Sequence, residues 1–389
     1  MIEKIVSHSL LLLSVLAITC RAQDLATDRV IGNLEVVATF TGPMPTGVSV
    51  ANSGRIFVNF PKWGDNVEYT VAEVVDGKTV PYPSADINHY SQGDDQADKL
   101  ISVQSVVVDP TGSRLWILDT GSIGFGPTSP GGPKLVGVDL NTNRVTKKII
   151  FPANVALPTT YLNDVRFDLQ RGPEGMAFIT DSSSSGPNGI IVVDLASGKS
   201  WRRLHDHPST RPDPQFVPVT EGQILQMRIP GRPPARFEVG SDGIAISADG
   251  KTLYYCPLTS RHLYSVSVDA LVDASKTDND VAATVKDLGE KGGASDGLES
   301  DAEGRVYLSD YEHDAIRRRS TDGQIETLVH DPRVLWPDTL SLAADGFLYF
   351  TANQIERQGV FHDGRDQRQK PYVLFRVKLD GTRIAAHKN

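Results

Sequence analysis

Ser241-Asp242-Gly243-Ile244-Ala245-Ile246-Ser247-Ala248-Asp249-Gly250, followed by Thr252-Leu253-Tyr254-Tyr255, sets a polar opening before two alternating runs separated by a glycine turn. Alternation with a period of two marks strands, and Asp249-Gly250 between them marks a hairpin. The pattern returns at residues 295–304 before Val306-Tyr307-Leu308, and at residues 338–346 before Phe347-Leu348-Tyr349-Phe350. Weaker copies stand upstream. Thr46-Gly47-Val48-Ser49-Val50 precedes Ile56-Phe57-Val58, and Gln104-Ser105-Val106-Val107-Val108 precedes Leu115-Trp116-Ile117-Leu118. Asn163-Asp164-Val165-Arg166-Phe167 precedes Met176-Ala177-Phe178-Ile179.

The six copies begin at residues 46, 104, 163, 242, 296 and 338, so the intervals are 58, 59, 79, 54 and 42 residues. Each interval holds about four short strands with their turns, the content of one propeller blade. Outer strand pairs are read at residues 135–140 with 145–150, and at 190–195 with 200–204. The fold expected is all-β, a six-bladed β-propeller spanning residues 33–383 as a single domain. Residues 34–40 come before the first repeat and can pair beside residues 372–379 of the last blade. That pairing closes the ring with an N-terminal strand and leaves no open sheet edge.

Composition agrees with many short strands: 34 Gly and 24 Pro are spread along the 389 residues. The net charge of −9 argues against nucleic acid, which calls for a basic stripe. The densest basic run, Arg317-Arg318-Arg319, is flanked by acids and reads as a solvated turn. Residues 1–22 read as a signal peptide, with Lys4 before an apolar stretch at 10–18. A bilayer span needs roughly 20 apolar residues, so the stretch is too short for an anchor. The mature chain is therefore expected to be secreted or periplasmic, off the membrane. Cys20 leaves with the leader, and Cys256 reads as a buried structural thiol. No HExxH, paired CxxC, Walker or Rossmann motif is present.

The innermost strand of each blade lines a propeller's channel, so the residue before each inner strand belongs to a ring at one mouth. That ring is Thr46, Gln104, Asn163, Asp242, Asp296 and Asp338, all polar. Three converging carboxylates repel unless a cation, shared protons or water intervenes. Asn163, Asp242, Asp296 and Asp338 offer only oxygen ligands, which suits one Ca²⁺ or Mg²⁺. Asp242, Asp296 and Asp338 are also the candidate acid–base residues. Gln104 completes the ring as a ligand contact. Long loops reach the same face at residues 76–103, with His89 and Tyr90, and at residues 205–240. Shorter loops there carry His262 and His313, further candidates for ligand contact.

With the repeats in place, the chain resembles the yellow / major royal jelly protein family, in its bacterial and fungal branch. The carrying stretches are Leu162-Asn163-Asp164-Val165-Arg166-Phe167-Asp168, Ala177-Phe178-Ile179-Thr180-Asp181-Ser182 and Gly189-Ile190-Ile191-Val192-Val193-Asp194-Leu195. The Asp-Gly motifs at 242–243 and 296–297 are shared with gluconolactonase-like propellers. Those relatives hold a divalent cation with Glu, Asn, Asn and Asp. The resemblance puts Asn163 and Asp242 in two of these positions and Thr46 where the Glu stands. Insect members of the yellow type are linked to dopachrome tautomerisation, and others bind small amines. Isomerisation tolerates loss of the Glu better than hydrolysis does. The resemblance therefore implies an isomerase, tautomerase or cyclase acting on a small aromatic or quinone-like molecule. Its alternatives are a metal-dependent lactonase and a non-enzymatic binder of small amines. No nucleotide or flavin cofactor is expected.

Overall fold

The computed structural model describes residues 28–380. The leader and Cys20 lie outside the described residues. Six four-stranded antiparallel sheets form, each built from consecutive strands except the last. The inner strands are Val48–Val50, Val103–Val108, Leu162–Asp168, Ser241–Ile246, Leu298–Ser300 and Pro337–Leu342. Each contacts the inner strand of the next blade, and Pro337–Leu342 returns to Val48–Val50. The ring therefore closes as a six-bladed propeller.

In the last blade the order from the axis outward is Pro337–Leu342, Phe347–Ala352, Tyr372–Lys378 and Leu34–Phe40. Leu34 pairs with Val377 and Phe40 with Tyr372, the closure expected from sequence. The outer pairs of blades 2 and 3 also match: Lys134–Asp139 beside Arg144–Ile150, and Gly189–Asp194 beside Ser200–Arg203.

The core lies between facing sheets rather than in the channel. Trp116, Leu135, Phe167, Ile179 and Ile191 share one buried cluster between blades 2 and 3. Phe178, Ile190, Ile244 and Tyr255 share the next. The second and third strands of a blade thus bury both faces, which is why their sequences run continuously apolar. Each such side chain contributes about 1.5–3 kcal/mol on burial. Cys256 is fully buried, and burial pushes its thiol pKa up.

Two expectations are corrected. Residues 76–103 are not one loop. Lys78–Pro81 is the outer strand of blade 1, paired with Val71–Val75, and the connection proper starts after it with the short helix Ala85–Asn88. Arg317-Arg318-Arg319 is not a turn but part of the strand Ala315–Arg319. It stays in the sheet because its charges find acids across the ladder: Arg317 Nε on Asp310 at 2.5 Å and Arg318 Nε on Glu326 at 2.8 Å.

Candidate active site

The six aligned ring residues do converge at one mouth, and all are buried: none exceeds the 6% exposure of Asp296. Local backbone explains how they reach the axis. In four blades the ladder slips at the ring residue itself, between Val103 and Ser105, Leu162 and Val165, Ser241 and Ile244, and Pro337 and Leu340. A bulge frees a residue from the ladder and re-aims its side chain.

Glycine then draws neighbouring blades together. A Cβ on Gly243 would collide with the Asp296 carbonyl oxygen, and one on Gly297 with the Asp338 carbonyl oxygen. The Asp-Gly pairs at the ring are therefore close-approach sites between blades, not turns. Because these strands come so near, the Asp296 carboxyl lies within hydrogen-bonding reach of both Asp242 and Asp338.

Three carboxyls this close cannot all ionise. Burial, then the charge of Asp296, pushes Asp242 and Asp338 well above the usual carboxylate range. Asp296 rises less, to about 6: burial lifts it, while the Trp336 indole N–H and the two neighbouring carboxyls hold it down. Trp336 Nε1 donates to Asp296 Oδ2 at 2.7 Å. Asn353 Nδ2 donates to Asp338 Oδ2 at 2.7 Å, and Asn163 Nδ2 to Asp242 Oδ1 at 2.6 Å. Asp296 is therefore the readiest of the three to ionise and Asp242 and Asp338 the readier to keep a proton, the separation of roles that acid–base chemistry needs.

The donor set, three carboxyls and an amide, has the oxygen chemistry of a hard-cation site. Its geometry is different. The polar atoms are spent on one another. Among the described residues no group of three or more His, Cys, Asp and Glu side chains is arranged to hold a metal ion. A cation would have to displace the shared protons and turn the Asn163 amide.

A second layer sits above the ring, two residues earlier in the same alignment. Tyr161 stands two before Asn163 and Trp336 two before Asp338. The Tyr161 hydroxyl donates to Gln104 Oε1 at 3.1 Å and accepts from Trp63 Nε1 at 2.7 Å. Phe125, 60% exposed, stacks on Trp63 at 5.0 Å and leans on Tyr161 in a tilted contact at 4.9 Å. On the other side Tyr311 and Trp336 stack at 4.1 Å, with Phe237 edge-on. Tyr161, Trp63, Trp336 and Asn353 escaped the sequence reading. The signal for Tyr161 and Trp336 was the offset of two in the repeats already aligned.

Phe237 belongs to the 205–240 insertion, which roofs this mouth. Two small ribbons shape it: Val219–Thr220 with Gln223–Ile224, and Gln226–Met227 with Ala235–Arg236. Its anchors lie in other blades. Val219 N donates to Glu312 Oε1 at 3.1 Å, Arg228 N to the Val360 carbonyl at 2.7 Å, and Arg357 pairs with Glu221.

The loop candidates sit further out. His262 pairs with Asp287 of its own blade at 2.9 Å. His313 pairs with Asp310 at 2.9 Å, which raises its pKa. His89 is exposed, beside Ser91 at 3.3 Å. Tyr90 lies under Lys62, whose Nζ is 5.6 Å from the ring centre. None of these contacts is with the carboxyl ring. Asp310 is one of three equivalent carboxylates closing second strands. Asp119 takes Lys134 Nζ at 2.7 Å and Asp181 takes Arg202 Nη1 at 2.8 Å, both pairs almost solvent-free. Asp119 and Asp181 also accept from backbone N–H groups of the chain entering the inner strand, Ile101 and Tyr161 among them, and so hold the ring in place.

The fold and sequence comparisons agree. Regucalcin, a calcium-binding protein from Agrobacterium tumefaciens, superposes with a TM-score of 0.52 at 15% identity, over 90% of this chain and 97% of that one. A gluconolactonase from Xanthomonas campestris gives 0.52 at 13% identity, over 90% and 91%. At such identities the likeness is one of fold. Protein yellow of Drosophila madeirensis is 29% identical over 256 residues, covering 61% of this chain and 42% of that protein. The Drosophila melanogaster counterpart is 28% identical over 253 residues, covering 61% and 43%. The match thus spans less than half the length of these relatives. The family model described as major royal jelly protein matches residues 101–382, from the entry to blade 2 through the last blade. With that match over most of its length, the chain belongs to the major royal jelly protein family.

Proposed function

We propose that this propeller is an exported enzyme that relocates protons on a small, aromatic or quinone-like molecule, an isomerase, tautomerase or cyclase. One observation carries the reading: Asp296 lies between Asp242 and Asp338, and burial with the charge of Asp296 raises those two well above the usual carboxylate range while Asp296 itself rises only to about 6. Asp296 would take a proton from carbon or oxygen, and Asp242 or Asp338 would return one elsewhere on the same molecule. Trp336 and Tyr311 supply the flat apolar surface beside these groups. The apolar stretch at residues 10–18 supports export. The test is turnover of dopachrome, followed by loss of its visible absorbance. The reading expects Asp296→Asn to slow turnover by two or more orders of magnitude, the scale of general acid–base catalysis. Equal rates in wild type and variant would overturn it.

A second reading keeps the residues and exchanges the shared protons for one Ca²⁺ or Mg²⁺. Its support is the all-oxygen donor set of Asn163, Asp242, Asp296 and Asp338. Elemental analysis beside an Asp242→Ala, Asp296→Ala double variant decides it. About one equivalent of metal, lost in the variant, would favour lactone-type substrates. A third reading, simple capture of amines, predicts binding of an aromatic amine with no turnover.

A further inference from the structure

At the far end of the channel from the carboxyl ring, where the inner strands finish, lies a cavity of about 520 Å³. That volume is within the range of small-molecule sites. Its walls mix apolar side chains, Val50, Val108, Phe167, Ile246 and Leu342 among them, with polar ones, and Arg166 of blade 3, Glu299 of blade 5 and Asp109 of blade 2 bring the charged groups. Arg166 is 6% exposed. Its Nη1 donates to the Val165 carbonyl at 2.8 Å and its Nη2 to the Leu298 carbonyl at 2.6 Å, which fixes the guanidinium plane. Its Nε–H is buried with no acceptor. A buried donor left unmade carries a desolvation cost that an arriving acceptor removes.

Glu299 Oε2 stands 3.9 Å from Arg166 Nη2, beyond hydrogen-bonding distance. Its Oε1 accepts from Ser300 N at 2.8 Å. One planar donor and one carboxyl oxygen are therefore side by side, each with capacity left. A lone carboxylate would meet repulsion from Glu299, and a lone amine repulsion from Arg166. A molecule with both charges adjacent satisfies the two at once. Ser49 and Ser341 accept backbone N–H groups at 2.8 and 3.1 Å, so their own O–H protons remain to be donated.

We propose that this cavity binds a small apolar zwitterion of the α-amino acid class, its carboxylate on the Arg166 guanidinium and its ammonium on Glu299, with its side chain against the apolar part of the wall. The inference is independent of the chemistry at the carboxyl ring.

The experiment is titration calorimetry of the whole protein with L-leucine, 4-methylpentanoate and 3-methylbutylamine. The expected result is that leucine binds more tightly than either single-charge analogue. Arg166→Met should weaken leucine at least tenfold. Glu299→Gln should weaken leucine at least tenfold while improving 4-methylpentanoate, a reversal that general loss of structure does not produce. If Arg166→Met fails to fold, the Glu299→Gln reversal alone decides. Asp296→Asn, at the other mouth, should leave leucine binding unchanged. The proposal is overturned if no probe binds at millimolar concentration, if leucine binding ignores both cavity substitutions, or if it is lost in Asp296→Asn.

Discussion

The indole nitrogen of Trp336 donates to the carboxylate of Asp296 at 2.7 Å, from a ring stacked on Tyr311 at 4.1 Å. The bond favours the charged form of Asp296, so it sets the pH at which this carboxyl loses its proton. Trp336→Phe keeps much of the stack and removes the donor. The pKa of Asp296 should then move upward from about 6. Carboxyl-carbon NMR titration would show the upward shift, and the acid limb of any pH–rate profile should follow it.

The ring should also write itself into stability. Asp296 titrates near 6 when folded and near 3.8 when unfolded. Between those values the folded chain keeps a proton that the unfolded chain has lost, so stability falls as pH rises through this window. The loss is on the order of 1–3 kcal/mol. Urea unfolding at pH 4.5 and 7 should show wild type more stable at the lower pH as far as this group is concerned. Asp296→Asn should reduce that difference, leaving the part owed to Asp314 and Glu356, whose pKa values burial lifts to about 7 and about 8.

Gly297→Ala tests the close approach of blades 5 and 6. The added methyl meets the Asp338 carbonyl and must push the strands apart, costing about 1–3 kcal/mol. Separation weakens the Asp296–Asp338 contact, so the raised pKa of Asp338 should fall toward the ordinary range. Gly54→Ala would be a poor control, since its φ is +85°; Gly42, with open space around it, is a suitable one.

Lys134 and Asp119 form a pair with 1% and 0% side-chain exposure. Lys134→Met leaves the Asp119 charge buried with its backbone partners only. The expected cost is about 3–5 kcal/mol, seen as a lower thermal midpoint. Substituting Lys99, whose partner Asp86 is exposed, should cost less than about 1 kcal/mol.

Blade count, closure and ring membership were legible because a propeller repeats. Once Asp242 and Asp296 were aligned, the register carried Gln104 and Asn163 with them. What surrounds the ring was less legible. Asn353 reaches Asp338 from the second strand of the same blade, and Trp63 reaches Tyr161 from two blades away. Such contacts depend on the closed ring, not on local pattern. Nothing in the sequence marks Gly243 and Gly297 as close-approach glycines, because Asp-Gly is also a common turn pair. Only the packed neighbour reveals that the missing Cβ is what matters. Arg317 and Arg318 looked solvated because their counter-charges, Asp310 and Glu326, are on neighbouring strands.

The pairing of Leu34–Phe40 with Tyr372–Lys378 has a consequence for biosynthesis. Leu34–Phe40 leaves the ribosome more than 300 residues before its partner, so it must wait for Tyr372–Lys378 before it finds its place. Until then a half-buried apolar segment has no ladder and the sixth sheet lacks its outer edge. Joining chain segments so far apart in sequence makes closure entropically slow. Five blades can gather during synthesis, but the ring that holds the three carboxyls together can lock only once Tyr372–Lys378 has emerged.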